Sequence, residues 1–252
     1  MARPLLALVA LDRAGLPDTD ETLRVLGEIW RDAPRATDVK VTDDVITFRL
    51  DGHTAAISLQ PEPIPRGDLA GPCAAAWYWP EAAAAVQDHQ AHLVVGVLPG
   101  GPLDRIETAM LLTRVVAAVA TAAGAAAIYW TPGRLVHSPG AFLDYARQMT
   151  REHLPLYLWI DFGLGRHADG SYSLATSGLE ALGQMEIEIA ASRNHPRRLL
   201  DRLFNIAHYV LDKGLVLKPG ETIGMSDEER IPIEHGPSFR DEAMTVVRLE
   251  MP

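Results

Sequence analysis

The spacing of hydrophobic and polar positions changes along the chain, and each change of period predicts an element. Leu5 to Leu11 is a continuous apolar run, the pattern of a strand buried on both faces. Pro17-Asp18-Thr19 then opens a helix in which Leu23, Leu26, Ile29 and Trp30 recur at helical spacing, and Pro34 closes it. Val45 to Leu50 and Thr54 to Leu59 read as strands flanking Asp51-Gly52, the pair that favours a tight type I′ hairpin. Three prolines within Gln60 to Pro65, followed by Gly67, Gly71 and Pro72, predict a loop. Trp79-Pro80-Glu81 starts a short alanine-rich helix, and Ala91 to Leu98 is a second buried strand.

The element order to this point, β-α-β-β-α-β, predicts a ferredoxin-like antiparallel sheet covered by helices, a statement about topology alone. A helix from Pro102 to Ala123, a strand from Ala126 to Trp130 and a helix opened by Ser138-Pro139 complete residues 1–150. Beyond them, Leu156 to Gly163 and Ser171 to Thr176 read as strands joined through Ala168-Asp169-Gly170, and Gly178 to Gly183 as a short helical turn. In Gln184-Met-Glu-Ile-Glu-Ile-Ala190 the period becomes strictly two. Met185, Ile187 and Ile189 then share a buried face, while Glu186 and Glu188 share the other, read as the wet side of a sheet. Asn194-His195-Pro196 opens a broadly striped amphipathic helix that ends at Lys213-Gly214, and Met244 to Leu249 reads as a closing strand. The expected class is α+β, with a ferredoxin-like first domain (1–150) packed against a second α+β domain (151–252) across the long helix.

Charge narrows the functions. The formal net charge of −10 is spread evenly, with 13 basic against 18 acidic residues in 1–154 and 10 against 15 in 155–252. A field of that sign disfavours nucleic acid and anionic membranes and suits a basic protein partner. Cys73 is the only cysteine, which excludes an intrachain disulfide or a Cys-based metal cluster and points to a reducing, cytoplasmic setting. Asp12-Arg13 breaks the first apolar run, and Thr113, Arg114, Thr121 and Gly124 interrupt the one from Leu111 to Ala127, so neither a leader nor a bilayer span is expected.

Trp159-Ile-Asp-Phe162, Thr176-Ser-Gly-Leu179, the Glu186 strand, Asn205-Ile-Ala-His-Tyr-Val210 and Gly220-Glu-Thr-Ile-Gly224 together resemble a bacterial family known as domain of unknown function 4261, over roughly residues 155–250. Trp77-Tyr-Trp79 and His89-Gln-Ala-His-Leu93 are similar to what precedes that domain in full-length members. The resemblance implies an architecture and carries no activity.

Candidate chemistry is sparse. Asp161, on the face predicted to hold Tyr157 and Trp159, meets Glu186 and Glu188 if their strands are neighbours, and three carboxylates suit a hard cation or divided acid and base roles. His89 and His92, beside Asp88, have ligand spacing on a helix, yet fall where a helix gives way to a strand. Gly163-Leu-Gly165-Arg-His-Ala168 imitates a dinucleotide fingerprint, but a strand is expected where the fingerprint requires a helix. Arg197, Arg198 and Arg202 lie in the first turns of a helix, where an anion could dock, although Asp201 offers Arg197 an ordinary surface pair. Ser177 has no nucleophile elbow and reads as a helix cap, and Cys73 has no reactive context. Trp77, Tyr78 and Trp79 form either a binding surface or a loop packed on the core.

No complete catalytic, metal or cofactor motif emerges. The expected function is non-catalytic binding of a basic protein, antidote-like in one version. The alternative is a small hydrolase or metal-dependent enzyme using Asp161, Glu186 and Glu188, and a third option is a structural subunit assembled through a sheet edge or the Trp77 loop.

Overall fold

The computed structural model describes residues 5–31, 33–101, 104–224 and 229–251. The chain divides into two compact units, Met1–Leu158 and Trp159–Pro252. The class is α+β, with one large sheet in each unit. No helix among the described residues is long and apolar enough to cross a membrane.

In the first unit β1 (Leu6–Leu11), β2 (Thr37–Val41), β3 (Val45–Leu50), β4 (His53–Gln60), β5 (Ala91–Leu98), β6 (Ala127–Trp130) and β7 (Leu135–His137) form an antiparallel sheet in the order β2-β3-β4-β5-β1-β6-β7. Register aligns Val9 with Leu93, Ala7 with Val95, and Val95 with Ile57, so these buried side chains share one face. The helices are α1 (Thr19–Ile29), α2 (Arg66–Ala75), α3 (Ala82–Ala85), α4 (Arg105–Ala122) and α5 (Pro139–Gln148). On the sheet's other face Ala10, Ala127, Tyr129 and Val136 pack with Ile64, Leu69, Cys73 and Ala82, which belong to the connection between β4 and β5.

That connection corrects the ferredoxin-like expectation. A ferredoxin-like sheet would insert β1 between β4 and β5, whereas these two strands pair directly from Thr54 opposite Leu98 to Gln60 opposite His92, and β1 lies outside them. Two antiparallel neighbours need no crossover, so the 30-residue excursion between them is free to cover the far face of the sheet. The excursion also contains a helix, α2, where the prolines and glycines predict a loop. Leu69, Pro72, Cys73 and Ala76, at i, i+3, i+4 and i+7, form a buried stripe whose packing offsets the hydrogen bond lost at Pro72. No pattern in the sequence marks β2. All five of its residues are exposed, so it shows no core-facing alternation, and a bulge at Asp38 (φ +51°) interrupts its pairing with β3.

Several local expectations hold. Asp51 (φ +48°) and Gly52 (φ +82°) make the hairpin turn between Leu50 and His53 with both central residues left-handed, as type I′ demands. Ser138 caps α5 by accepting from the Ala141 amide at 3.3 Å.

In the second unit β8 (Asp161–Arg166), β9 (Tyr172–Ser177), β10 (Ile187–Ser192), β11 (Thr222–Ile223), β12 (Ile231–Pro237) and β13 (Thr245–Leu249) run in the order β11-β12-β13-β10-β9-β8. β13 is antiparallel to β12 and parallel to β10. The strand expected from Leu156 starts only at Asp161. Leu156–Trp159 is instead one helical turn, α6, begun after Pro155 with the Leu158 amide donating to the Pro155 carbonyl at 2.8 Å, so Tyr157, Trp159 and Asp161 do not share a strand face. A helix, α7 (Pro196–Lys213), buries Leu199, Leu203, Ile206 and Val210 and sets Phe204 against Phe162, with ring centroids 5.7 Å apart. Gly214, at φ +61°, ends it.

Candidate functional site

Of the face expected to be apolar and buried, Ile187 and Ile189 are at most 1% exposed, whereas Met185 precedes β10 and is only partly buried. The polar side is not wet. Glu186 is 8% exposed and Glu188 2%, and a carboxylate held that far from water needs donors to replace its hydration. Both have them. Oε1 of Glu186 accepts from the amides of Gly178 (2.8 Å) and Glu180 (3.0 Å), and its Oε2 accepts from Thr176 Oγ1 (2.7 Å). Gly178, at φ +124°, takes a backbone conformation that other residues rarely adopt, and this lets its N–H turn inward.

Glu188 organises a second loop in the same way. Its Oε1 accepts from Ser238 Oγ (2.5 Å) and its Oε2 from the Phe239 amide (3.0 Å). Ser238 Oγ in turn accepts from the amides of Arg240 (2.9 Å) and Asp241 (3.2 Å), while the Ser238 amide donates to the Met244 carbonyl (2.8 Å). Residues 238–244 are thereby closed into a loop fastened to the middle of the sheet.

The strands of Asp161 and Glu188 are not the neighbours that the three-carboxylate expectation required, because β9 lies between β8 and β10. Gly163 is opposite Ala175 and Ala175 is opposite Glu188, so Asp161, two residues before Gly163, shares the sheet face of Glu188, while Glu186 precedes β10. The guanidinium of Arg240 sits over Gly163, where a Cβ would come within 2.1 Å of its Nη2. Burial pushes the Asp161 carboxyl above its ordinary range; Arg240 pulls it back and Glu186 pushes it further up. The three carboxylates share a surface, yet Glu186 and Glu188 are turned to loop amides and hydroxyls. Among the described residues no group of three or more His, Cys, Asp or Glu side chains could hold a metal ion.

The remaining candidates separate. His89 is 5% exposed; its Nδ1–H donates to the Val86 carbonyl (2.6 Å), and its Nε2 accepts from the Ile64 amide (2.8 Å). The carbonyl can only accept, which fixes this neutral tautomer. His92 donates to the Glu62 carbonyl at 2.8 Å, so both imidazoles fasten the proline-rich segment to β5. Gly163 and Gly165 lie within β8, which a hairpin joins to β9 with no intervening helix. Ser177 ends β9, and Cys73 is buried among core residues, with burial pushing its thiol pKa up. Arg202 pairs with Glu229 at 2.8 Å, while Arg197 and Arg198 are exposed.

The aromatic triplet divides between the two uses. Trp79 packs against the core, Tyr78 is 38% exposed and Trp77 is 81% exposed. Tyr78 O–H donates to His137 Nδ1 at 2.6 Å, and the Nε2–H of His137 donates to the Leu158 carbonyl at 3.2 Å. His137 was not singled out by the sequence. It is 1% exposed, packed against Phe142 (5.7 Å), and burial pushes its pKa down to about 4. Only its place immediately before the capping Ser138 marks it, and no period does.

Neither curated proteins nor solved structures include a match to the chain. The motifs from Thr176 onward fall within a matched segment, whereas Trp159 to Phe162 and the upstream Trp77 and His89 motifs lie outside it. Residues 175–250 match the family described as Domain of unknown function (DUF4261), as their resemblance implied.

Proposed function

We propose that the chain is a non-catalytic protein-binding module that engages a basic partner through the Trp77 turn. The observation that carries this reading is an indole 81% exposed on a turn that is itself fastened down. The Trp77 amide donates to Ala75 (2.8 Å), the Trp79 amide to Ala76 (2.9 Å), and the Tyr78 hydroxyl reaches a buried imidazole. A large aromatic surface held in place loses little conformational entropy on binding, and such residues dominate interface energetics. The net charge of −10 supports a basic partner, and an antidote-like contact with a basic effector is the version this balance suits. A reducing cytoplasm is consistent with Cys73 as a buried thiol.

Co-purification at physiological salt tests the reading: the intact chain retains a basic protein that is released at high salt, and Trp77→Ala loses it at least tenfold. Retention of the same protein by Trp77→Ala, or no retained protein, ends the proposal.

One observation favours a carboxylate-using hydrolase, namely the raised Asp161 carboxyl beside Arg240. Hydrolytic activity on a panel of ester and phosphoester substrates that disappears in Asp161→Asn would establish that reading in place of binding.

A further inference from the structure

Four arginines gather at one end of the second unit. Arg166 ends β8 opposite Tyr172 of β9, and Tyr172 is opposite Ser192 at the end of β10, so Arg166 and Arg193 flank one row across three strands. β10 ends at Ser192, in the row of Tyr172 and Arg166, and α7 starts at Pro196, so the first turn of that helix, with Arg197 and Arg198, begins at the end where Arg166 lies. All four are exposed. Asp169 meets Arg193 only at 3.9 Å, with both side chains mostly in solvent. Among the described residues Arg166, Arg197 and Arg198 make no ion pair, and the pair expected between Arg197 and Asp201 is not formed.

This is a concentration of one sign on a unit that is acidic as a whole, with 10 basic against 15 acidic residues from 155 onward. The α7 dipole adds the same sign, and its first turn carries no acidic residue. Like charges brought together repel, and an external anion relieves that repulsion.

We infer that this end of the second unit is a docking surface for an acidic protein segment, a run of Asp and Glu side chains that the guanidinium groups pair with bidentately. The arginines stand on an open surface, which fits an extended chain of carboxylates whose planar geometry matches the guanidinium fork. A nucleic acid is disfavoured, because a long polyanion feels the net −10 of the whole chain beyond the patch, whereas a short peptide contacts the patch alone. The surface is separate from the Trp77 turn in residues and in sign, so either proposal can fail without the other.

The test is fluorescence anisotropy of a labelled octaglutamate peptide titrated with the full chain at 0.1 M salt. The intact chain is expected to bind it, with affinity falling as salt rises. Arg197→Glu combined with Arg198→Glu should weaken binding at least tenfold, while Arg197→Lys with Arg198→Lys weakens it about threefold. Lys213→Glu with Lys218→Glu makes the same change of net charge at exposed sites at and beyond the opposite end of α7, and should leave affinity within about twofold. Circular dichroism confirms that each variant is folded. Equal losses in the patch and control variants, absence of peptide binding, or tighter binding of a single-stranded oligonucleotide of equal charge would each overturn the inference.

Discussion

The two units fasten their loops by opposite chemistry. In the first, neutral imidazoles tie loops to the fold: His89 joins Val86 to Ile64, and His137 joins Tyr78 to Leu158. In the second, ionised carboxylates do so: Glu186 gathers Thr176, Gly178 and Glu180, and Glu188 gathers Ser238 and Phe239. Hydrogen bonds to a charged acceptor are about twice as strong as neutral ones, so removing a carboxylate leaves more unsatisfied than removing an imidazole. A pair of buried acids can be structural when each carboxylate oxygen accepts from an amide or hydroxyl of a neighbouring segment.

The strongest way to break the comparison is Glu188→Ala, which strands the Ser238 hydroxyl and the Phe239 amide. It should cost about 4 kcal/mol of second-unit stability by urea denaturation, more than any single imidazole replacement. A loss under about 1 kcal/mol would mean that solvent already satisfies those donors.

Acidification separates the two chemistries next. The folded chain holds His137 neutral down to about pH 4, whereas the unfolded imidazole takes up its proton near its ordinary 6.5. The unfolded state therefore binds more protons in this window, and stability falls as pH falls through it, by about 3 kcal/mol in total. Melting curves between those pH values should show the decline, and His137→Phe should flatten it. An unchanged slope in that variant would assign the decline to other groups.

The amide replacements sharpen the carboxylate side. In Glu186→Gln the amide oxygen keeps both backbone donors, and the nitrogen can donate to Thr176 Oγ1, whose hydroxyl turns to the Ile187 carbonyl at 3.4 Å, for a loss of about 1 kcal/mol. Glu188→Gln is harsher, about 2 kcal/mol, because its nitrogen meets a Ser238 oxygen that already accepts from two amides. Equal thermal shifts in the two variants would contradict this account. Smallest is Asp161→Asn, which removes a charge that burial disfavours and should raise the melting temperature by about one or two degrees.

What the sequence could convey follows the same division. Period-two alternation over residues 184–190 overlaps β10, which starts three residues later, and Asp51-Gly52 located its hairpin, because each signal is local to the residues that fold. The burial of Glu186 and Glu188 was illegible because their donors come from separate loops, and for Glu188 from 50 residues away. Pro72 spoke for a loop when α2 is a helix, since the core that rewards its stripe belongs to β1, β6 and β7. β2 failed for the opposite reason: it is a strand that buries nothing. The expected meeting of Asp161 with the two glutamates needs neighbouring strands, and β9 stands between β8 and β10, while the strand expected to carry Asp161 begins as a helical turn.

The place of β13 has a consequence for the order of assembly. It lies between β12 and β10, pairing with both, though it follows them by eight residues and more than fifty respectively. During synthesis β8, β9 and β10 can pair as they emerge, but the outer edge of β10 has no neighbour until residues 245–249 leave the ribosome. A strand edge left open that long is exposed to the wrong partner, and contacts so distant in sequence close slowly. The second unit is therefore the one whose yield should depend on how quickly its last strand arrives.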